Sequence, residues 1–180
     1  MIGRRIRELL WGCALAALIA TNGCNGGAPV GAGASDEEKR QAIAAMYAGY
    51  RESFPNVPEV TVAEALERQA AGNVVFVDVR EPAEYAVSHI PGAIPFAEFE
   101  RNPDAYRDAT VIAYCTIGYR SGEYAAELRE KGIDACNLDG SILSWVHAGE
   151  RVVDDKGETT RLHVYGKRWD LAPQGFETVW

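Results

Sequence analysis

The chain of 180 residues is 47% hydrophobic and 24% charged and carries a formal net charge of −8. That length suits one domain of ordinary globular composition. The acidic balance argues against nucleic acid and anionic membrane surfaces as main partners, so a site for an anion must make its own local positive field.

The chain opens with Arg4, Arg5 and Arg7, an apolar stretch from Leu9 to Ala20, and then Thr21-Asn22-Gly23-Cys24. A basic start, a short apolar run and a small-residue boundary are the layout of a secretory signal. The run is about 12 residues, whereas a helix that crosses a bilayer needs roughly 20. Residues 1–23 are therefore expected to be a signal peptide, which would export the rest to a bacterial periplasm. Cys24 after Gly23 resembles the acceptor cysteine of bacterial lipoproteins, although Thr21 stands where such sites usually carry Leu. Lipidation at Cys24 would tether the protein to a membrane facing the periplasm; plain cleavage is the competing expectation. Residues 24–35 are rich in Gly and Ala and read as a flexible linker.

Residues 36–58 read as an N-terminal helical segment. Acidic residues open it, and Ile43, Met46, Tyr47 and Tyr50 fall on one helical face before Phe54-Pro55-Asn56-Val57-Pro58 ends it. Thr61-Val62-Ala63-Glu64 has the form of a capping box, predicting a helix to about Ala71 that Gly72 closes.

Three runs then read as strands. Val74–Val79 is continuous and β-branched or aromatic, which suggests a strand buried on both faces, as in a parallel sheet. Thr110–Tyr114 is a second run and ends at Cys115; Ala135–Leu138 is a third. Ser121–Lys131 between the last two is helical in pattern and stops at Gly132. Strand, helix, strand at this spacing is a βαβ unit with parallel pairing. The class is α/β, with ligands expected at the carboxyl ends of the strands, where Cys115 falls. Residues 150–180 do not continue the alternation. Trp169, Leu171, Phe176 and Trp180 there read as anchors that pin a tail back onto the domain, and a structural part for His163 and Trp169 is favoured over a catalytic one.

The four cysteines, Cys13, Cys24, Cys115 and Cys136, form no CxxC pair and no His/Cys cluster at zinc spacing, so the sequence implies neither a metal nor a cofactor. Cys136 sits in mid-strand without a basic neighbour and reads as an inert buried thiol. Cys115 is different, because Gly118 and Arg120 follow it. Gly118 permits a tight bend that turns successive N–H groups inward, the next helix adds its amino-terminal partial charge, and Arg120 brings a planar fork suited to anionic oxygens. Together they favour thiolate at Cys115. Ionisation alone is a weak lever. For any thiol starting near pKa 8.5, a lowering of about two units raises the thiolate fraction roughly twenty-five-fold but cuts intrinsic nucleophilicity about six- to ten-fold. The larger gain must come from donors that hold the transferring atom and the leaving anion.

Four segments together resemble the rhodanese family: Asp78-Val79-Arg80-Glu81 with Glu84-Tyr85; His89-Ile90-Pro91-Gly92-Ala93; Cys115-Thr116-Ile117-Gly118-Tyr119-Arg120-Ser121; and Leu138-Asp139-Gly140-Ser141-Ile142 with Trp145. The resemblance covers residues 59–149, half of the chain, and neither the N-terminal helix nor the tail. It implies a five-stranded parallel sheet flanked by helices and a ping-pong sulfur transfer through a persulfide on Cys115. It further implies that the backbone N–H groups of Thr116, Ile117, Gly118, Tyr119 and Ser121 cradle that persulfide and that Arg120 holds the sulfonate of a donor such as thiosulfate. A thiol or cyanide would be the acceptor. Asp78 and Arg80 are expected to pair and brace the loop from behind, His89 to satisfy a backbone group, and Trp145 to lie in the core.

Two other functions compete. A Cys-dependent phosphatase or arsenate reductase shares the Cys/Arg logic, but related phosphatases place five residues between the two and this chain places four; the smaller ring suits one sulfur atom better than a tetrahedral phosphate. A non-catalytic rhodanese-like regulatory module is the other, and the presence of both Cys115 and Arg120 counts against it. The sequence is silent on oligomeric state.

Overall fold

The computed structural model describes residues 33–180. The expected signal peptide, Cys24 and most of the linker lie outside the described residues. Helix α1 (Asp36–Arg51) starts from a reciprocal cap: the Ser35 hydroxyl accepts from the Glu38 amide, and the Glu38 carboxylate accepts from the Ser35 amide at 2.8 Å. It buries Ile43 and Tyr47. Strand β1 (Glu59–Val60) leads into α2 (Val62–Ala71), whose Thr61/Glu64 capping box and left-handed Gly72 follow the sequence pattern. Next come β2 (Val74–Asp78), α3 (Pro82–Val87), β3 (Ile94–Pro95), the single turn α4 (Phe96–Phe99), β4 (Thr110–Tyr114), α5 (Tyr119–Glu130), β5 (Ala135–Leu138) and α6 (Ser141–His147). Helix α5 begins two residues before the expected Ser121, because left-handed Gly118 caps it and brings Tyr119 and Arg120 inside the first turn.

The sheet has the order β1-β5-β4-β2-β3, and every pair in it is parallel. The three strands legible in the sequence are the central ones. The edges β1 and β3 span two residues each, too short to show a period. Alternation along β4 sorts side chains into two cores: Ile112 and Tyr114 face one side with Leu138, Ile142 and Trp145, while Val111 and Ala113 face the other with Tyr124, Ala125 and Leu128. Both faces are covered, as a parallel sheet requires.

The tail forms an antiparallel hairpin, β6 (Val152–Asp154) with β7 (Gly157–Thr159), and a parallel pair, β8 (Arg161–His163) with β9 (Glu177–Val179). Val152, Leu162, Val164, Leu171 and Ala172 are buried in the same core as Ile112 and Trp145, with Trp169 and Phe176 packed against it. Trp180 departs from the sequence expectation. It is 60% exposed and anchors nothing among the described residues.

Helix α1 and the turn after it lie close against the start of α5 because glycines clear their seat. A Cβ at Gly118 would lie 2.5 Å from Tyr47 Cε2, and one at Gly122 would lie 2.2 Å from Phe54 Cζ. Gly122→Ala is therefore expected to destabilise the fold by about 1–3 kcal/mol through overpacking. Urea unfolding should show that adding Phe54→Leu restores part of the loss, giving less than the sum of the two single effects.

Candidate active site

Cys115 leaves the carboxyl end of β4 with 2% of its surface exposed. Its Sγ accepts a hydrogen bond from the Gly118 amide at 3.1 Å, and the Ser121 and Ser141 hydroxyls stand 3.5 and 4.0 Å away. The loop is held by its neighbours on α6. The Ile142 and Leu143 amides donate to the Cys115 and Thr116 carbonyls at 3.2 and 3.3 Å. The Cys115 amide donates to Ser141 Oγ at 3.1 Å. The loop carbonyls are thereby engaged on the α6 side, leaving amides for the sulfur. Of the expected amide cradle, Gly118 is bonded to Sγ at 3.1 Å and the Ser121 amide also favours its thiolate, while Thr116, Ile117 and Tyr119 line the pocket above it.

Asn137, fully buried in β5, ties this loop to the rest of the molecule. Its Nδ2 donates to the Gly118 carbonyl at 2.8 Å and to Tyr47 Oη at 3.2 Å, and its Oδ1 accepts from Ser121 Oγ at 2.7 Å. Both amide protons and the carbonyl are used, so this buried polar group is satisfied. Tyr47 in turn donates a hydrogen bond to Glu59 at 3.0 Å, and Arg51 also holds Glu59 at 2.9 Å. Ser121 has one hydroxyl proton, and the shorter bond assigns it to Asn137 when Cys115 is a neutral thiol; a thiolate competes for it. Ser141 sits at φ 52°, a left-handed conformation unusual for a residue with a Cβ. Such strain is found where position matters, and here it aims the hydroxyl at Cys115.

Burial opposes ionisation of Cys115, yet the Ser121 hydroxyl, the charge of Arg120 and the amides of Ser121 and Gly118 outweigh it and hold the thiol below its ordinary range. Cys136 shows burial acting without such donors, which pushes it up to about 11. The two buried thiols are thus separated by the hydrogen bonds and the Arg120 charge at Cys115 rather than by depth.

Arg120 differs from its expected posture. Its two terminal nitrogens both donate to Glu84, at 2.7 and 2.9 Å, and Nη2 also reaches Thr116 Oγ at 3.3 Å. Its guanidinium carbon lies 5.0 Å from the Tyr165 ring centroid. The fork expected to meet a donor's oxygens is therefore engaged by a buried carboxylate, while its charge still bears on Cys115. Asp78 and Arg80 do pair, with both side chains fully buried and Nη2 2.7 Å from Oδ2. They brace the site through Tyr114, whose hydroxyl donates to Asp78 at 2.7 Å one residue before Cys115, and through Ser88, whose carbonyl accepts from Arg80 at 2.6 Å. His89 Nδ1 lies 3.1 Å from the Tyr85 carbonyl, and Trp145 is core, as the sequence reading had them.

A cavity of about 350 Å³ opens above Cys115, walled by Tyr50, Ile117, Tyr119, Arg120, Tyr165 and Trp169. Tyr50, Glu84, Asn137, Ser141 and Tyr165 were given no part by the sequence reading. Glu84 and Ser141 lie inside the recognisable motifs. Asn137 was detectable as a polar residue in a strand buried end to end. Tyr50 and Tyr165 carry no local signal, since one reads as a core position of an amphipathic helix and the other as an exposed loop residue. Titration of thiolate absorbance should give a midpoint for Cys115 below the ordinary thiol range, shifted upward in Ser121→Ala and absent in Cys115→Ser. Because the folded value is lowered, the thiol's contribution to stability is complete above the unfolded pKa and is lost as pH falls through the folded one.

The family model described as Rhodanese-like domain matches residues 61–148. A thiosulfate:glutathione sulfurtransferase of Saccharomyces cerevisiae is 37% identical over 100 residues, covering 44% of this chain and 70% of that protein. An HTH-type transcriptional regulator of Mycobacterium tuberculosis is 39% identical over 95 residues, covering 50% of this chain and 42% of the regulator, so the chain spans less than half of that relative's length. The crystal structure of a thiosulfate sulfurtransferase from Pseudomonas aeruginosa superimposes with a TM-score of 0.51 at 23% identity, over 62% of this chain and 23% of that one, a likeness of fold. With its parallel sheet, its Cys115 loop and relatives that include sulfurtransferases, the chain belongs to the rhodanese-like family.

Proposed function

We propose that the chain moves sulfane sulfur from a donor such as thiosulfate to a thiol or cyanide through a persulfide on Cys115. The observation that carries this reading is the Cys115 thiol itself: buried at a strand end, lowered in pKa, bonded to the Gly118 amide at 3.1 Å and lining the floor of the cavity. The thiolate attacks the outer sulfur of the donor. A new S–S bond forms at Cys115, the donor's own S–S bond breaks, and sulfite departs with the electron pair. The terminal persulfide sulfur then carries the negative charge, and the amides and hydroxyls that favour the thiolate are within reach of it. An acceptor thiolate or cyanide attacks that terminal sulfur, and Cys115 leaves as thiolate, ready for the next turn. Each step is a displacement at sulfur with the charge conserved, so the chain needs to supply no proton.

Arg120 and Glu84 contribute indirectly in this scheme. The pair sets the field at Cys115 and fixes the first turn of α5, so loss of either partner leaves a charge uncompensated in a largely buried place. Export of the chain, removal of residues 1–23 and lipidation of Cys24 form part of the same proposal. They rest on the sequence pattern alone.

Intact mass after incubation with thiosulfate should rise by about 32 Da, the mass of one persulfide sulfur, and Cys115→Ser should abolish the rise. The loaded protein should yield thiocyanate when cyanide is added. An increment that survives in Cys115→Ser removes Cys115 as the carrier. Phosphate-ester hydrolysis without thiocyanate formation would favour the phosphatase reading instead, and a chain inert in both assays would favour the regulatory module.

A further inference from the structure

The matched family region ends at residue 148, yet three residues of the cavity wall come from outside it. Tyr50 comes from α1, and Tyr165 and Trp169 come from the tail. The tail is not simply draped there. His147 lies 2.7 Å from the Leu171 carbonyl, Lys39 donates to the Ala172 carbonyl at 2.7 Å, and Asp36 accepts from the Gln174 amide at 2.9 Å. Leu171 and Ala172 are buried. Helix α1, α6 and the tail are therefore locked together, and the two tail aromatics are carried to the rim as part of a fixed frame.

The rings meet edge to face. Tyr50 and Tyr119 have centroids 5.5 Å apart, and Tyr165 and Trp169 have centroids 5.2 Å apart. Tyr165 is 59% exposed and Tyr119 is 40% exposed, unusual placements for rings that only stabilise a fold. Charge reinforces the picture. Asp78 neutralises Arg80, and Glu84 neutralises Arg120 with both terminal nitrogens. Tyr165 covers the Arg120 guanidinium at 5.0 Å. Among the described residues that line the cavity the one cation is Arg120, and it is paired; Arg168, at the rim, lies over the Trp169 ring at 5.8 Å, so a carboxylate-rich acceptor finds no unpaired cation at the cavity floor. An apolar or aromatic body finds four rings and Ile117. The volume, about 350 Å³, holds far more than cyanide and lies in the range of small-ligand sites.

We infer that the acceptor of the Cys115 sulfur is a low-charge thiol with an aromatic or apolar body, selected by Tyr165 and Trp169 of the tail together with Tyr50 and Tyr119. This inference rests on the sulfur-transfer reading above. Tyr165 and Trp169 act as specificity-determining residues: stacking and desolvation hold the body of the thiol while its sulfur reaches the persulfide at the cavity floor. The transfer itself is the displacement already described, with the acceptor thiolate taking the terminal sulfur and leaving as its own persulfide.

The test compares thiophenol with glutathione as acceptor from the preloaded Cys115 persulfide, in the wild type, Tyr165→Ala and Trp169→Ala. Using variants cancels the intrinsic difference between the two thiols. In Tyr165→Ala, an exposed position whose loss spares the core, kcat/KM for thiophenol should drop at least tenfold more than kcat/KM for glutathione. Equal losses for both thiols, or none for thiophenol, would overturn the inference. Trp169→Ala should act in the same direction; if it fails to fold, Trp169→Leu keeps the ring-specific question open to measurement. A second readout is independent of chemistry: phenol, an unreactive ring, should quench or shift tryptophan fluorescence saturably in Cys115→Ser, and the effect should weaken in Cys115→Ser with Tyr165→Ala. Saturable binding without any persulfide in the wild type would retain the cavity and sink the sulfur-transfer reading. A persulfide without ring selectivity would do the reverse.

Discussion

The hydrogen bond from the Gly118 amide to Cys115 Sγ, 3.1 Å long, is the contact on which the site depends. A sulfur with 2% exposure has little water to stabilise a negative charge, so protein donors must do it. Gly118 can serve only if its peptide stays in place. The peptide that follows it is fixed by Asn137, which binds the Gly118 carbonyl and has both of its amide protons committed. Gly118 itself is fixed by sterics: the left-handed φ of 108° and the Tyr47 ring leave no space for a Cβ. A short polar chain from Gly118 through Asn137, Tyr47 and Glu59 to Arg51 thus connects the reactive loop to a helix that the family match does not cover.

Two ion pairs, one fully and one partly buried, divide the remaining work. Asp78 and Arg80 lock Tyr114 and the Ser88 carbonyl, which sets where β4 ends and therefore where Cys115 begins. Breaking such a pair by removing one partner typically costs about 3–5 kcal/mol, since the other charge is left stranded. Glu84 and Arg120 link α3 to the first turn of α5 on the other side of the loop. Arg120 then acts on Cys115 as a fixed charge. Its shared guanidinium also explains why the cavity, although it contains an arginine, offers mostly ring faces to a visitor.

Much of the fold was legible because its signals are local. The capping box at Thr61, the left-handed glycines and the three central strands each occupy a handful of consecutive residues whose chemistry repeats a known pattern. The edge strands were not legible, because two residues cannot display a period. The tail reads as a pinned extension, but its part in walling the cavity has no local signature. Nothing in the sequence around Tyr165 distinguishes a rim residue from an ordinary exposed tyrosine.

The sequence by itself determined the α/β class, the strand-to-helix loop that carries Cys115, and the contrast between Cys115 and Cys136, since each follows from neighbours within a few positions. Tertiary structure alone decided what Arg120 binds, which donors reach Sγ, and which rings surround the cavity. Glu84 lies 36 residues from Arg120, and Asn137 lies 90 residues from Tyr47. Contacts over such separations exist only once the sheet has placed its carboxyl ends side by side. No local rule of spacing or propensity can report them, because what selects them is the cost of leaving a buried charge or amide unpaired, and that cost arises only when distant segments pack together.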